Sequence, residues 1–449
     1  MATNADLKPL CKFGEKCYRK NPQHLKQFRH PKRNADEEDI ETKPAKRQKK
    51  NYDKNSKERK IDDFFGKKTE TKTDPTDKDD NTEDIESDGG SPYRSDGGSP
   101  YGDDNHGSPS NEEASQSSVC DDDDDEVEMP ESPDDVKENI KQKFLFEMPD
   151  DFYLFWEFCK NENSKNPTDA LKELTGLKLV GPFDILAGKH KGVTKNSKGK
   201  KRNYLLHWRY YYDPPEFQTV IAGDSTTQYH MGYFRDDPNE LPALVGTNSA
   251  KTDCIITVKG DNLFAAVSSF IDDKLKSKDL NSSSKDKLKK LSGKIKDYAQ
   301  KNNLSLELKS KRIKEREKKV VCKSFHRCGI VVPVDENEVG YREVPETPAD
   351  LKKMFKKIVD CKSESERDKH FEPLQELITL VQFANDECDY GEGLELGMDL
   401  FCYGGEVFHS TVLQLLPLAY MLLNRPEFGK IIEAHLKHRK HTADLSQLS

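Results

Sequence analysis

The stretch VQFANDECDYGEGLELGMDLFCYGG, residues 381–405, carries three acids, Asp386, Glu387 and Asp389, within four positions. Around them stand residues that read as core: Val381, Phe383, Leu394, Leu396, Met398, Leu400 and Phe401. A solvated charge run is not normally framed this way. Just upstream, LQELITLVQFAN places Leu374, Leu377, Ile378 and Val381 at helical spacing, and Gly391 and Gly393 punctuate the pattern beyond the acids. The acids therefore either end that helix or begin the next one. At a helix C-terminus the dipole disfavours carboxylates by about 0.3–1 kcal/mol each, whereas at an N-terminus it favours them. Locally unfavourable charge that is retained points to chemistry.

Working outward, apolar residues return from about residue 137. FYLFWEFCK (152–160) reads as helical or buried. NYLLHWRYYYD (203–213) and DCIITVKGD (253–261) carry β-branched and aromatic residues at strand length, with turn signals at Pro214-Pro215 and Gly223-Asp224. SKDKLKKLSGKIKDYAQKNN (284–303) has Leu288, Leu291, Ile295 and Tyr298 at three-four spacing, a helix with a lysine-rich face. That face reads as solvated rather than as a DNA or histone surface. VVCKSFHRCGIVVPV (320–334) reads as strands joined by a turn; its Cys322, His326 and Cys328 are better explained as ordinary core or surface residues than as metal ligands. Beyond it the chain is mostly helical. Thr347-Pro348-Ala349-Asp350 supplies a cap, a proline at the first position and an acid in the first turn. Strands first and helices later predict an α+β fold: a sheet-bearing lobe over 137–332 and an all-helical lobe over 333–441.

The chain has 449 residues, of which 35% are charged and 33% hydrophobic. That balance is low in apolar content for a wholly globular protein. Residues 32–136 account for it: Lys, Asp, Ser, Gly and Asn dominate, periodicity vanishes, and such a segment cannot bury enough surface to offset its chain entropy. The net charge of −9 hides segregation, with basic clusters at 43–50 and 285–319 and acid at 120–128. KPAKRQKK (43–50), with Lys32-Arg33 upstream, reads as a nuclear localisation cluster. SDGGSPY occurs at 87–93 and 95–101, too short a repeat for a solenoid, and its Ser91-Pro92 and Ser99-Pro100 pairs are weak phosphorylation signals. Ile61, Phe64 and Phe65 stand alone in a polar tract, as a docking peptide would; their spacing resembles a sliding-clamp motif, but Glu58 stands where glutamine is usual. The acidic run Asp121–Asp125 reads as a solvating tract. The best apolar run, 412–423, is too short for a membrane span, and the N-terminus lacks the apolar segment of a secretory signal. Ten scattered cysteines fit a reducing compartment better than a disulfide scaffold.

Residues 11–30, CKFGEKCYRKNPQHLKQFRH, offer two thiolates and two imidazoles: Cys11, Cys17, His24 and His30. Zinc favours this donor set, and so short a piece needs the metal to fold. The six residues between Cys17 and His24 are too few for a DNA-reading ββα finger. With Lys8 ahead of the first cysteine, Phe13-Gly14, Tyr18, Arg19-Lys20 and Phe28, the segment 8–31 resembles the poly(ADP-ribose)-binding zinc finger. Aromatics that stack adenine and basic groups that meet pyrophosphate suit that polymer.

The acidic stretch, together with GIVVPVDENEVGYREVPETPADLK (329–352) and HWRYYYDPPEFQTVI (207–221), closely resembles the histone PARylation factor family over roughly residues 140–440. The resemblance implies the same two-lobed fold. It implies that Glu387, with Asp386 beside it, completes the active site of a partner poly(ADP-ribose) polymerase. It implies that Tyr341 and Arg342 dock on that partner, through a turn expected to be exposed, and that NAD is bound by the partner. Serine, on histones and other chromatin proteins in the DNA damage response, would be the acceptor, in the nucleus. A glycine-rich dinucleotide loop is not visible in the chain. Two other readings are a polymer-reading adaptor without a catalytic part, and a stand-alone hydrolase using Asp386 and Glu387. The hydrolase ranks last, because adjacent residues rarely face one substrate together and no nucleophile–base pair accompanies them.

Overall fold

A computed structural model describes residues 131–277, 280–442 and 445–448. The zinc-finger ligands, the nuclear localisation cluster, the clamp-like motif and the acidic run Asp121–Asp125 all lie outside the described residues. The described chain begins with helix α1 (Val136–Phe144), where Asp135 accepts from the backbone N–H groups of Lys137 and Glu138 at 2.8 and 3.0 Å. Helix α2 (Asp150–Glu162) follows and buries Phe152, Phe155, Trp156 and Phe158. Two short helices, α3 (Lys172–Thr175) and α4 (Pro182–Leu186), flank strand β1 (Lys178–Leu179).

The main sheet is an antiparallel meander of β1, β2 (Phe217–Ala222), β3 (Tyr229–Phe234), β4 (Leu244–Ser249) and β5 (Thr257–Val258), in sequential order. Its two faces follow the period of two. Met231, Tyr233 and Val245 face a core built by α2 and the helices α5 (Leu263–Lys276) and α6 (Ser282–Lys301). Phe217, Phe234 and Leu244 face the opposite cluster, with Ile256, Ile313 and Cys328. A register shift between Thr219 and Ile221 explains why consecutive Val220 and Ile221 both reach the first core. Each buried side chain of this size contributes about 1.5–3 kcal/mol. Asp151 ties the layers together: its Oδ2 accepts from the Tyr233 hydroxyl at 2.6 Å and from the Leu263 N–H at 2.8 Å. Helix α7 (Lys311–Glu317) and the two-stranded sheet of β6 (Val320–Cys322) and β7 (Ile330–Val331) complete this part.

Two strand expectations are corrected. Residues 203–213 form a 3-10 turn, Tyr204–Leu206, and a loop, and only Thr257–Val258 of 253–261 is strand. Trp208 has φ +57°, which a strand excludes, and Asp213 gathers the loop by accepting from the Tyr210 N–H, the Thr219 hydroxyl and the His230 ring. The longer strands instead lie over 217–222, 229–234 and 244–249. The strand–turn–strand reading of 320–334, the lysine-rich helix and the Thr347 cap are all observed. On the lysine-rich helix, Lys294 pairs with Glu162 and Lys296 with Asp272.

The sheet region is followed by a helical region: α8 (Pro348–Asp360), α9 (Glu364–Asp386), α10 (Tyr390–Tyr403), α11 (His409–Leu422) and α12 (Pro426–His438). From Gly391 to Cys402 every residue of α10 is buried, so it is the central helix. The helical core also recruits Phe146, Phe325, Ile330 and Val332 from earlier in the chain. The described residues all fall in one compact unit. Arg439, beyond α12, spans the two regions: its guanidinium lies 3.9 Å from the ring centroids of both Tyr211 and Phe401 and donates to both backbone carbonyls. Among the described residues no helix is long and apolar enough to cross a membrane, and the seven cysteines are free thiols.

Candidate functional site

Both readings of the acidic stretch hold, because the acids straddle a helix break. Asp386 is the last residue of α9 and is exposed. Glu387 is the C-cap, its N–H bonded to the carbonyls of Phe383 and Ala384 at 3.1 and 3.0 Å. Cys388 takes φ +69°, and the Asp389 N–H returns to the Ala384 carbonyl at 2.9 Å. The chain then enters α10 with Asp389 at its N-cap position. Asp389 does not cap its own helix through its side chain. Its Oδ1 instead accepts from the Gly340 N–H at 3.0 Å, and its Oδ2 pairs with Arg342 at 2.9 Å.

Arg342 also donates to Glu387 Oε2, so one guanidinium bridges the two carboxylates on either side of the break. The unfavourable charge at the end of α9 is thus met by a cation from a distant turn. Burial works against the Arg342 charge, but Glu387 by hydrogen bond and field, with Asp389 and Glu392, outweighs it and raises the arginine's pKa. Tyr341 is half-buried and donates from its hydroxyl to Glu395 Oε2 at 2.9 Å. The turn is held from below by Gly391, whose N–H bonds the Gly340 carbonyl at 2.9 Å. A Cβ at Gly391 would stand 2.8 Å from the Tyr341 ring and 3.1 Å from that carbonyl. Arg342 of the predicted docking pair and the predicted catalytic acid Glu387, 45 residues apart, are therefore in contact. The expectation of an exposed turn holds in part: Arg342 keeps 43% of its side-chain surface, while its charge is turned inward onto Glu387 and Asp389.

Beneath this pair lie acids that the sequence reading passed over. Glu392, Glu395 and Asp399 recur at three- and four-residue steps along α10 and are all buried. Burial lifts Glu392 to about 7 against the opposing field of Arg342, and its Oε2 has no hydrogen-bond partner among the described residues. Burial likewise raises Glu395, and lifts Asp399 to about 7, although Asp399 accepts from the Phe325 N–H at 2.8 Å. Their common helical stripe was the available signal. One core assignment is also corrected: Phe383 is 44% exposed. Leu374, Leu377, Ile378 and Val381 define the buried stripe of α9, and Phe383 falls off it beside the exposed Leu380. Phe383 thus sits on the surface one turn from Asp386 and Glu387, with Leu380 nearly a turn further back. Cys322, His326 and Cys328 behave as packed residues: His326 Nδ1 accepts from the Cys328 N–H at 3.0 Å, and burial lowers its pKa to about 3.

The fold and site define a sheet-plus-helix protein in which an arginine-bearing turn closes over an acidic helix break. Residues 135–439 match the family model described as Histone PARylation factor 1, and residues 8–33 match that of the PBZ domain. The chain is 56% identical over 306 residues to the Mus musculus protein named Histone PARylation factor 1, covering 68% of this chain and 87% of that one. It is 53% identical over 318 residues to the Bos taurus protein of that name, covering 71% and 90%, and 50% identical over 307 residues to the Homo sapiens "Putative histone PARylation factor 1-like", covering 68% and 87%. The chain belongs to the histone PARylation factor 1 family.

Proposed function

We propose that this chain is an accessory factor that docks on a poly(ADP-ribose) polymerase and lends it Glu387, directing ADP-ribosylation to serine on histones and other chromatin proteins. The observation that carries the reading is the bridge from Arg342 to Glu387 and Asp389. In it the docking residue and the acid are one unit, so docking and chemistry are linked. A partner carboxylate or carbonyl that takes up Arg342 uncovers Glu387. The exposed Leu380 and Phe383 add apolar surface for that contact. Uncovered, the Glu387 carboxylate takes the proton from the serine hydroxyl as its oxygen bonds to the ribose carbon and the nicotinamide nitrogen leaves with the bonding pair. NAD belongs to the partner. Asp386, exposed beside Glu387, shapes the field there.

The N-terminal segment, on this reading, holds zinc through Cys11, Cys17, His24 and His30. It meets polymer through Phe13, Tyr18, Arg19, Lys20 and Phe28, keeping the factor in the nucleus where polymer already exists. A polymer-reading adaptor is the second reading: the PBZ match accounts for it by itself, with the Arg342 bridge as a plain structural fastening. Glu387→Gln separates the two, because it keeps shape and hydrogen bonding but cannot take a proton as a carboxylate does. Complex formation should persist, and serine-linked ADP-ribose should fall on the order of 100- to 10,000-fold. Normal binding with normal modification would exclude Glu387 as the base and favour the adaptor.

A further inference from the structure

Where α8 gives way to α9, three different donor side chains converge. Cys361 is the C-cap of α8, while Glu366 and His370 lie one turn apart on the same face of α9. One ligand atom from each, the Cys361 sulfur, a Glu366 oxygen and a His370 nitrogen, all lie within 4.8 Å of one another. This is the one such group of three among the described residues. All three line an open cleft of about 570 Å³, so an ion can reach them. The scaffold beneath is set: Ser363 caps α9 by accepting from the Glu366 N–H at 3.3 Å, and Arg367 donates to the Cys361 carbonyl at 3.3 Å.

We propose that Cys361, Glu366 and His370 bind a thiophilic divalent cation of the zinc class, with water in the fourth position. Bonds of about 2.0–2.3 Å to sulfur, nitrogen and oxygen bring tetrahedral donors to about 3.5 Å from one another. The present spacing closes to that by small side-chain rotations, with the Cys361 sulfur leaving the Lys357 carbonyl, now 2.9 Å away. The surroundings decide the choice of metal. Lys353, Lys356, Lys357 and Lys362 line the same cleft, and among the described residues only the first two form ion pairs, with Asp350 and Asp360. A hard cation such as magnesium or calcium, held by charge and oxygen donors, is disfavoured there, whereas thiolate and imidazole bonds select a softer ion. The ion would fasten the C-terminal end of α8 to the first turns of α9. Helix α8 follows the Tyr341–Arg342 turn and α9 ends at Asp386, so along the chain the clamp lies between the two halves of the bridge. The site does not depend on the proposed function.

The test uses the full chain carrying Cys11→Ser/Cys17→Ser, which removes both thiolates of the N-terminal donor set, stripped of metal and titrated with cobalt(II). One equivalent should bind with sulfur-to-cobalt charge-transfer absorption and intense tetrahedral visible bands, and zinc(II) should displace it. Adding Cys361→Ser should abolish the charge-transfer band, with the circular dichroism of the metal-free chain unchanged. No thiolate–cobalt band in the parent, or a band that survives Cys361→Ser, would overturn the site. Should Cys361→Ser alter the metal-free fold, His370→Gln decides. A loss of cobalt affinity of at least about tenfold supports the site, and unchanged affinity overturns it.

Discussion

Arg342 fastens two carboxylates and, on the proposed function, also docks the partner; one substitution separates the two roles. In the described chain it neutralises Glu387 and Asp389, yet 43% of its side chain remains exposed. Solvent screens an ion pair of that kind, so Arg342→Ala should lower the stability of the body by about 1 kcal/mol or less. Binding to a polymerase catalytic domain should be abolished or sharply weakened, as titration would show. Full affinity in the variant would refute the docking role, and a large loss of thermal stability with retained affinity would make Arg342 a structural fastening. The sequence, through its family resemblance, pointed to Glu387 and Arg342 separately. Their contact is a tertiary fact, because a 45-residue separation carries no local signature of it.

At the scale of elements, α10 is the piece whose environment matters most. Gly391 admits the Tyr341 turn, so Gly391→Ala should cost about 1–3 kcal/mol by overpacking and displace Tyr341 from Glu395. Equilibrium urea unfolding measures the first effect, and tyrosine fluorescence or amide exchange at Gly340 the second. The buried acids of α10 make a pH prediction. Glu392 titrates near 7 in the folded chain against an ordinary 4.5, so between those values the native state holds a proton that the unfolded chain has released. Its contribution therefore destabilises progressively as pH rises through that window and is constant above it. Glu392→Gln should gain stability relative to the parent between pH 5 and pH 8, by on the order of 3 kcal/mol, read from paired unfolding curves. Asp399, also lifted to about 7, keeps its own slope in both proteins. A difference that does not change with pH would place Glu392 in an environment that does not penalise its charge.

For the whole molecule, the question is what makes the sheet and helical regions one unit. Arg439 is 5% exposed, stacked between Tyr211 and Phe401 and bonded to both carbonyls. Arg439→Ala removes these contacts and leaves two buried carbonyls short of a donor. It should destabilise the body by about 2–4 kcal/mol. Separate calorimetric transitions for the two regions in the variant, against one in the parent, would assign the coupling to this residue. A single unshifted transition would remove it from that role.

By itself, the sequence determined the features that depend on local chemistry. The three-four spacing of Leu288, Leu291 and Ile295, the Thr347-Pro348 cap and the apolar stripe of α9 need no partner to be read. So too the sheet-then-helix order and the placing of the acids at a helix break. Composition misled at 203–213: the aromatic residues there satisfy strand propensity, but Trp208 and the buried Asp213 bend the chain into a loop, and propensity is weak against such long-range hydrogen bonds. The strands that form the sheet are buried on both faces, which blurs the alternation that would have revealed them. Tertiary structure alone decided that Arg342 lies on Glu387, that Glu392, Glu395 and Asp399 are buried, and that Phe383 is not. Each of these depends on which surfaces meet across the fold, and burial is a property of the packed chain, not of a residue type.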